Sequence, residues 1–317
     1  MLNDAVRFLQ ERDNFLLMAH MAPDGDTLGS CLALKLLLEQ LGKRARAICD
    51  DPVPHLYAFL PGAKDVLPPD AAVDADAFVA VDCADAGRTG SQWSRVGAKP
   101  SLCIDHHITN SGFAQVNYIE DCAATGELIT LLYEALHEPV SLEAGACLYT
   151  AIATDTGNFA YSSVTPRTFA LMGQVMASGF DLPECNRLLY RNKRLQRLRM
   201  SARTVENAKL YRNEQVIVAT LSHAEVEAVG GCKADAEGII DSLRDVETVQ
   251  VACFLREEGA EVKLSLRAKT KVDCAALAKT YGGGGHVRAA GATLHMPLAE
   301  AEAEVTKALL AAFDATT

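Results

Sequence analysis

The sequence predicts an α/β fold, with an N-terminal, mostly parallel sheet flanked by helices, a helical linker and a smaller mixed α/β C-terminal domain. Two observations favour this fold. Short apolar runs alternate with helical patterns through the first half of the chain, whereas two strand-like runs follow each other directly in the second half. A length of 317 residues also suits two domains with separate cores.

The N-terminal half repeats a strand followed by a helix. NFLLMA predicts the first strand, and the leucines of TLGSCLALKLLLEQLG fall on one stripe of the helix that follows. The strand signal recurs in RARAIC, AFVAVD and SLCID, and the helical signal recurs in ATGELITLLYEAL, LEAGACLYTAIA and PRTFALMGQVMASG. Because each helix returns the chain across the sheet, this alternation builds parallel strands, and ligands bind at their carboxyl ends.

We expect three segments, comprising residues 1–184, 185–212 and 213–317. The middle segment is polar and rich in arginine, and it has no Gly or Pro, so it predicts one long connecting helix. Its basic face is interpreted as a solvated surface, with nucleic-acid binding as the alternative. In the last segment a hairpin is predicted from VQVACFL and VKLSLRA, further strands from QVIVATL and ATLHM, and helices from ADAEGIIDSL, VDCAALAKTYG and AEAEAEVTKALLAAF.

The chain carries a formal charge of -11, from 41 acidic and 30 basic residues. This excess of negative charge argues against stable binding to duplex DNA or to anionic membranes. Small anions and short oligonucleotides are still compatible with it, because bound metal ions or a few arginines can reverse the local field.

Ten cysteines are scattered without a C-x-x-C pair, and several lie within apolar strand-like runs. We therefore expect buried, reduced thiols rather than zinc ligands or disulfides, and a reducing compartment. The N-terminus has no basic segment followed by an apolar one, and no stretch reaches the roughly 18 apolar residues of a membrane span. The sequence predicts a soluble cytoplasmic protein without membrane partners.

A first group of candidate metal ligands follows the first predicted strand. His20, Asp24 and Asp26 lie in HMAPDGD, where a proline and a glycine allow a sharp turn that aims both carboxylates into one space. The next helix is expected to begin at Thr27 or Ser30. Alone, the D-G-D motif more often marks an ordinary turn or a calcium-like loop.

Asp and His side chains also follow the next strands. Asp82 ends AFVAVD, and Asp105, His106 and His107 come at the end of SLCID. Asp155 follows the apolar helix, in AIATDTGNF. An acid after one strand favours helix capping, but several strands that end in Asp or His at one edge of a sheet favour a site.

Together, two imidazoles and four carboxylates form a mixed nitrogen and oxygen ligand set. Such a set suits manganese or magnesium better than a thiolate zinc site. We therefore predict two divalent metal ions, with Mn²⁺ favoured and Mg²⁺ as the alternative, and Asp82 is the candidate to bridge them. The predicted ligands are His20, Asp24, Asp26, Asp82, His106 and Asp155.

The glycine run 282–285 before His286 has two interpretations. The plain one is a flexible loop. In the other, which we favour, its backbone N–H groups approach a phosphate while His286 supplies a charged donor. The candidate substrate-binding residues are then Ser265, Arg267, Gly283, Gly284, Gly285 and His286. Arg88, shortly after Asp82, is either a further candidate or a surface arginine.

With these pieces in this order, the chain resembles the DHH phosphoesterase family over nearly its whole length. Four N-terminal motifs of that family are similar to HMAPDGD, VAVDCAD, IDHH and TDTGNF, and its DHHA1 domain is similar to LSLRA and GGGGHVRAAG. Within the family, the chain resembles the nanoRNase and 3′-phosphoadenosine 5′-phosphate (pAp) phosphatase subgroup more than the larger RecJ exonucleases.

The resemblance implies a role for each candidate residue. One metal would be held by His20, Asp24 and Asp82, and a second by Asp26, Asp82, His106 and Asp155. His107 would face the scissile phosphate, and Asp105 would orient the neighbouring histidines. Arg267 and His286 would bind the phosphate or the nucleotide.

The expected reaction is in-line attack on phosphorus by a metal-bridging hydroxide, without a covalent enzyme intermediate. The expected substrates are short oligoribonucleotides, cleaved to mononucleotides, and pAp, cleaved to AMP and phosphate. An exopolyphosphatase or pyrophosphatase and a cyclic-dinucleotide phosphodiesterase are alternatives with the same metal centre. A non-catalytic nucleotide sensor would predict damaged ligand positions, yet all six are present. A homodimer is suggested only by the general frequency of such assemblies.

Overall fold

The computed structural model describes residues 1–270 and 272–316. The chain forms two compact units, Met1–Asn192 (unit 1) and Lys193–Thr317 (unit 2). The division between them falls inside the segment 185–212 that the sequence predicted to be a linker.

Unit 1 contains a five-stranded sheet in which all neighbouring strands are parallel. Its strands are β1 Phe15–Met18, β2 Ala45–Ile48, β3 Ala77–Val81, β4 Ser101–Asp105 and β5 Val116–Ile119. They lie in the order β2-β1-β3-β4-β5. The predicted parallel sheet is therefore confirmed. The edge strand β5 was not predicted, because only Tyr118 in it is fully buried and the strand has no continuous apolar run.

Six α-helices of unit 1 precede, separate or follow the strands of this sheet along the chain. They are α1 Leu2–Glu11, α2 Gly25–Gln40, α3 Thr125–Ala135, α4 Leu142–Asp155, α5 Pro166–Ala177 and α6 Leu182–Asn186. Four short 3-10 turns lie at His55–Tyr57, Ala63–Asp65, Ala86–Thr89 and Gln92–Arg95. Alternate strand residues enter different cores: Leu17 and Val79 pack with the helices, whereas Leu16 and Phe78 pack on the opposite face.

Helix α2 begins at Gly25, two residues before the earliest predicted start. The Asp24 side chain causes this early start, because its Oδ1 accepts hydrogen bonds from the N–H groups of Asp26 and Thr27 and so caps the helix. Asp26 consequently lies in the first helical turn rather than in a loop.

Helix α2 also packs very closely against α4. A methyl group on Gly29 would lie 2.9 Å from the backbone nitrogen of Ala151 and still closer to the carbonyl oxygen of Cys147. This close contact brings the last residue of α4, Asp155, to the first turn of α2, where it lies near Asp26.

Unit 2 contains a six-stranded mixed sheet. Its strands are β6 Lys209–Tyr211, β7 Val216–Leu221, β8 Val251–Glu258, β9 Glu261–Ala268, β10 Gly284–His286 and β11 Ala289–Leu294. They lie in the order β10-β11-β9-β8-β7-β6, and β7 and β8 are parallel while the other neighbours are antiparallel. The predicted hairpin of β8 and β9 is confirmed, with Glu258 paired to Glu261.

Helices pack on both faces of the second sheet. They are α7 Leu195–Glu206, α8 His223–Ala228, α9 Ile239–Arg244, α10 Cys274–Lys279 and α11 Leu298–Asp314. One core joins α10 and α11 to strands β7, β8, β9 and β11, and the other joins α7 and α9 to the opposite side of β7 and β8. The helix predicted around ADAEGIIDSL is interrupted at Gly238, which has a left-handed conformation (φ 73°) after a 3-10 turn at Lys233–Ala236.

The segment 185–212 is not the single helix that the sequence predicted. Helix α6 passes into a π-helical turn at Arg187–Arg191, helix α7 starts only at Leu195, and β6 completes the segment. Tertiary contacts outweigh helix propensity here. Arg194 is extended and donates to Asp235, and β6 pairs with β7.

The ten cysteines are free, and eight of them are buried as expected. Cys122 is half-buried, and Cys232 is exposed, so the expected burial is wrong for Cys232. That residue precedes the 3-10 turn Lys233–Ala236 at the surface, where its thiol contacts Arg194 and Asp235. Among the described residues, no helix is both long and apolar enough to cross a membrane.

Candidate metal centre

The carboxyl ends of three neighbouring strands, β1, β3 and β4, converge at one edge of the unit 1 sheet. His20 follows β1 by two residues, Asp82 comes directly after β3, and His106 comes directly after β4. Because parallel strands end at the same edge, these side chains meet although they are far apart in sequence. Asp155, from the end of α4, completes the group.

His20, Asp24 and Asp82 form the first possible metal-binding group. His20 Nε2 lies 3.5 Å from Asp24 Oδ2 and 3.6 Å from Asp82 Oδ2. On the other side of the ring, Nδ1 lies 2.8 Å from the carbonyl oxygen of Met21. With a proton on Nδ1 donated to that carbonyl, loss of the Nε2 proton to a binding cation would leave the tautomer that a metal ligand needs.

Asp26, His106 and Asp155 form a second possible metal-binding group. His106 Nε2 lies 3.3 Å from Asp155 Oδ2 and 3.9 Å from Asp26 Oδ2. Its Nδ1 lies 3.0 Å from the carbonyl oxygen of Cys122, so this ring is oriented in the same way as His20.

Asp82 belongs to the first group and also faces the histidine of the second group, through its other oxygen. Its Oδ2 faces His20 Nε2, and its Oδ1 lies 3.7 Å from His106 Nε2. The backbone of Asp82 has a left-handed conformation, with φ 59°. Such a conformation costs free energy in residues other than glycine, and it is concentrated at functional sites because the surrounding structure must impose it.

The carboxylates are also fixed by donors outside the six candidate ligands. Asp26 accepts hydrogen bonds from Ser30 Oγ (2.9 Å), from the backbone nitrogen of Thr125 (2.7 Å) and from that of Gly126 (3.0 Å). Thr125 Oγ1 donates to Asp82 Oδ1 at 2.8 Å. These contacts hold two of the carboxylates in position from the first turn of α3.

The clustered carboxylates disturb the protonation of the group. Burial raises the pKa of Asp26 well above its ordinary value, and the nearby charges of Asp82 and Asp155 raise it further. Burial also raises the pKa of Asp155 to about 6. For His20, burial lowers the pKa, but hydrogen bonds to Asp24 and Asp82 outweigh burial and raise it to about 10. Concentrated negative charge and two oriented imidazoles fit divalent cations with nitrogen and oxygen ligands.

The second histidine of the D-H-H triplet has a different environment. Asp105 is completely buried and its Oδ1 lies 2.7 Å from His107 Nδ1, while its Oδ2 accepts from Asn110 Nδ2. The hydrogen bond to Asp105 raises the pKa of His107. With Nδ1 engaged, the Nε2 of this half-exposed ring is available to a ligand. Asp105 was expected to orient both histidines, but its contact is with His107, whereas His106 contacts Cys122.

Arg88 lies beside the same cluster. It belongs to the 3-10 turn Ala86–Thr89, which Asp85 caps, and its Nη2 is 3.2 Å from His20 Nδ1. The guanidinium is therefore near the carboxylate group, although the side chain is exposed.

The candidate substrate-binding residues of unit 2 share one sheet. Ser265 and Arg267 are two residues apart on β9, so their side chains point to the same face. Arg267 is paired with Ala289 of β11, which is in turn paired with His286 of β10. In the same way, Ser265 is paired with Gly291 of β11, which is paired with Gly284 of β10. Five of the six residues therefore lie on β9 and β10, which flank β11, and Gly283 comes directly before β10.

The glycine run is not the flexible loop of the plain interpretation, because Gly284 and Gly285 form β10 at the sheet edge. A side chain at Gly283 would overlap the carbonyl oxygen of Gly291. A pocket of about 350 Å³ is lined by Ser265 and Arg267 but not by the glycine run, and its lining includes three further basic residues, Lys233, Arg256 and Lys263.

Several residues of the site were not identified from the sequence. Thr125, Asn110 and Ser30 all donate to the carboxylates described above. Ser30 lies one helical turn after Asp26, a spacing that could have indicated the contact. Thr125 is 43 residues from Asp82 along the chain, and no local pattern predicts their hydrogen bond.

The sequence matches two family models. The model of the DHH family, N-terminal domain, matches residues 14–152, and the model of the DHHA1 domain matches residues 213–316. The bifunctional oligoribonuclease and PAP phosphatase NrnA of Thermus thermophilus is 32% identical over 286 residues, which cover 87% of this chain and 82% of that protein. The protein of the same name from Bacillus subtilis is 25% identical, over 93% of this chain and 94% of its own.

Among solved structures, an exopolyphosphatase-related protein from Bacteroides fragilis is similar over almost the entire chain. Its TM-score is 0.90 at 26% sequence identity, and the match covers 99% of this chain and 95% of the other. The arrangement of elements in both units is thus shared with a known protein.

Proposed function

This chain belongs to the DHH family, and we propose that it hydrolyses short oligoribonucleotides to mononucleotides and pAp to AMP and phosphate. One observation carries the proposal: the Asp82 carboxylate turns one oxygen to His20 and the other to His106, so that it can join two metal-binding groups. The relatives named bifunctional oligoribonuclease and PAP phosphatase support this choice of substrates.

We assign the metal ligands as follows. The first ion would be held by His20, Asp24 and Asp82, and the second by Asp26, Asp82, His106 and Asp155. Two divalent cations, with manganese favoured over magnesium, would lower the pKa of a bound water and neutralise charge on the phosphate oxygens. The mixed nitrogen and oxygen donors support hard or borderline metals of this kind.

The remaining residues of the centre act on the substrate. Asp105 holds Nδ1 of His107, so His107 can direct an Nε2–H donor at a non-bridging phosphate oxygen as negative charge develops there. The oxygen of a metal-activated water would form a bond to phosphorus in line as the P–O bond to the leaving group breaks, and no bond between the substrate and the protein would be needed. Arg88, beside His20, would add a second donor for the phosphate.

Unit 2 would contribute recognition rather than chemistry. Arg267 and His286 supply positive or proton-donating side chains on either side of Ala289 in one row across the sheet, and Ser265 supplies a hydroxyl. The backbone N–H groups of Gly284 and Gly285 would approach a phosphate closely because no side chain shields them, whereas the N–H of Gly283 donates to the carbonyl oxygen of Ala278 and would have to exchange that partner. We propose that these residues bind the phosphate or the nucleotide of the substrate.

A second candidate is hydrolysis of phosphoanhydrides. The similar structure from Bacteroides fragilis is described as exopolyphosphatase-related, and the same carboxylate cluster could serve that chemistry. We also propose a reducing, cytoplasmic setting, which the ten free thiols support.

The test is product analysis. Chelator-treated protein with added manganese would be incubated in parallel with pAp, a labelled RNA dinucleotide and polyphosphate. AMP from pAp and mononucleotides from the RNA would support the proposal. Release of phosphate from polyphosphate alone would indicate that the protein hydrolyses phosphoanhydrides instead. Binding of nucleotide without any product would favour a non-catalytic sensor. Asp82→Asn is the control for contaminating phosphatases, because it should form no product.

A further inference from the structure

The first residue of α3, Thr125, is completely buried against the candidate metal centre. Its side chain Oγ1 donates to Asp82 Oδ1 at 2.8 Å, and its backbone nitrogen donates to Asp26 Oδ2 at 2.7 Å. One residue therefore contacts two carboxylates through two different groups.

We propose that Thr125 is a positioning residue, whose hydroxyl fixes the Asp82 carboxylate so that its two oxygens serve different metal ions. The inference rests on the proposed function, which assigns Asp82 to both metal-binding groups. Asp82 Oδ1 is the oxygen that faces His106. A carboxylate oxygen has two lone pairs, so it can accept the Thr125 hydrogen bond and still bind a cation.

The hydroxyl matters because a carboxylate rotates about its own side-chain bonds. Without a donor at Oδ1, both oxygens of Asp82 could turn toward one cation and leave the other group with one ligand fewer. A hydrogen bond to an ionised group is stronger than one between neutral groups, and it also restricts the plane of the carboxylate. Threonine suits this role since its branched Cβ limits rotation of the hydroxyl.

Thr125 is itself held in place by the metal centre. The residue before α3 is Ala124, which has no side chain to cap the helix. Asp26 takes over that role, since its two oxygens accept from the backbone nitrogens of Thr125 and Gly126. A helix N-terminus favours a negative charge, so helix α3 and the Asp26 carboxylate stabilise each other.

The next residue, Gly126, packs against α4, the helix that carries a third carboxylate, Asp155. A methyl group there would lie 2.7 Å from Cβ of Ala151 and 3.1 Å from Cγ1 of Ile152, so α3 and α4 touch at this point. Asp155 lies one helical turn further along α4. The Thr125–Gly126 segment thus hydrogen-bonds Asp82 and Asp26, and packs on the helix that carries Asp155.

The test compares manganese binding by four chelator-treated full-length proteins: wild type, Thr125→Val, Thr125→Ser and Thr130→Val. Valine keeps the shape of threonine and removes the hydroxyl, whereas serine keeps the hydroxyl. Thr130 is the matched control, because it is equally buried in α3 but its Oγ1 donates to the backbone oxygen of Gly126. Titration calorimetry gives affinity and stoichiometry, and electron paramagnetic resonance detects a spin-coupled manganese pair.

Thr125→Val should bind manganese about 10–100-fold more weakly, as expected for loss of a group that orients a metal ligand, and should lose the spin-coupled signal. Thr125→Ser and Thr130→Val should resemble the wild type. Wild-type affinity and coupling in Thr125→Val, or an equal loss in Thr130→Val, would overturn the inference.

The readout also separates this inference from the proposed function. If the wild type binds a coupled manganese pair but hydrolyses no phosphate ester, the proposed function fails while the comparison of variants still decides the role of Thr125. If the wild type binds no manganese, both fail.

Discussion

Replacing Gly29 by alanine should destabilise unit 1, whereas the same substitution at Gly173 should stabilise it. Both glycines lie inside helices, Gly29 in α2 and Gly173 in α5. An added methyl at Gly29 would come within 2.9 Å of the backbone nitrogen of Ala151 and closer still to the carbonyl of Cys147. At Gly173 nothing lies within 4 Å of the added methyl.

Both substitutions gain helix propensity, but only Gly29→Ala also overpacks its surroundings. Alanine is favoured over glycine inside a helix by about 1 kcal/mol, and this gain applies to both. At Gly29 the overpacking term opposes it, at about 1–3 kcal/mol. We expect the upper part of that range, because the obstructing atoms are backbone and cannot rotate away. Gly29→Ala should then lower the free energy of unfolding by about 1–2 kcal/mol, and Gly173→Ala should raise it by roughly 0.5–1 kcal/mol.

Urea unfolding followed by fluorescence measures this difference in unit 1 specifically. Trp93 is the single tryptophan of the chain, and it packs against Phe113 within unit 1. Because the helix-propensity term is common, the difference between the two variants isolates the contact between α2 and α4. Equal changes in unfolding free energy would refute the reasoning. Gly29→Ala should also weaken manganese binding, since α4 carries Asp155, and Gly173→Ala should not.

Three further predictions concern the proposed activity. Asp82→Asn should abolish phosphate release from pAp and leave the circular dichroism spectrum unchanged, because asparagine keeps the shape of the side chain and tolerates the left-handed backbone. Substantial turnover would contradict the assignment of Asp82 as a metal ligand. His286→Ala should mainly raise KM with kcat little changed, as measured by steady-state kinetics, whereas a fall in kcat alone would place His286 in the chemistry. Manganese at about 100 times its Kd should stabilise the wild type by about 2.7 kcal/mol for each of the two ions, seen as a rise in Tm that Asp82→Asn lacks; an equal rise in both would mean binding elsewhere.

The strands of the metal centre could be predicted because each is a short apolar run that ends in a ligand-type residue. Phe15–Met18, Ala77–Val81 and Ser101–Asp105 are buried throughout, so their sequences contain little that is polar until the strand ends. Because parallel strands share a carboxyl edge, the sequence alone predicted that His20, Asp82 and His106 lie close together.

What could not be predicted depends on contacts between distant residues. The break at Arg194 depends on Asp235, 41 residues later, and the Thr125 hydrogen bond depends on Asp82. The early start of α2 is a local feature that was missed because Asp24 was interpreted only as a metal ligand. One oxygen of its carboxylate caps the helix, while the other faces His20. The strand β10 was not predicted, because glycine is depleted in β-strands.

The most direct test of the two-metal account is the rate of phosphate release from pAp, measured while manganese is added stepwise to chelator-treated protein. The account predicts no release without metal and a rise in rate that is complete only after the second equivalent of manganese per chain. Release from the metal-free protein, or a rate that is complete at one equivalent, would contradict it.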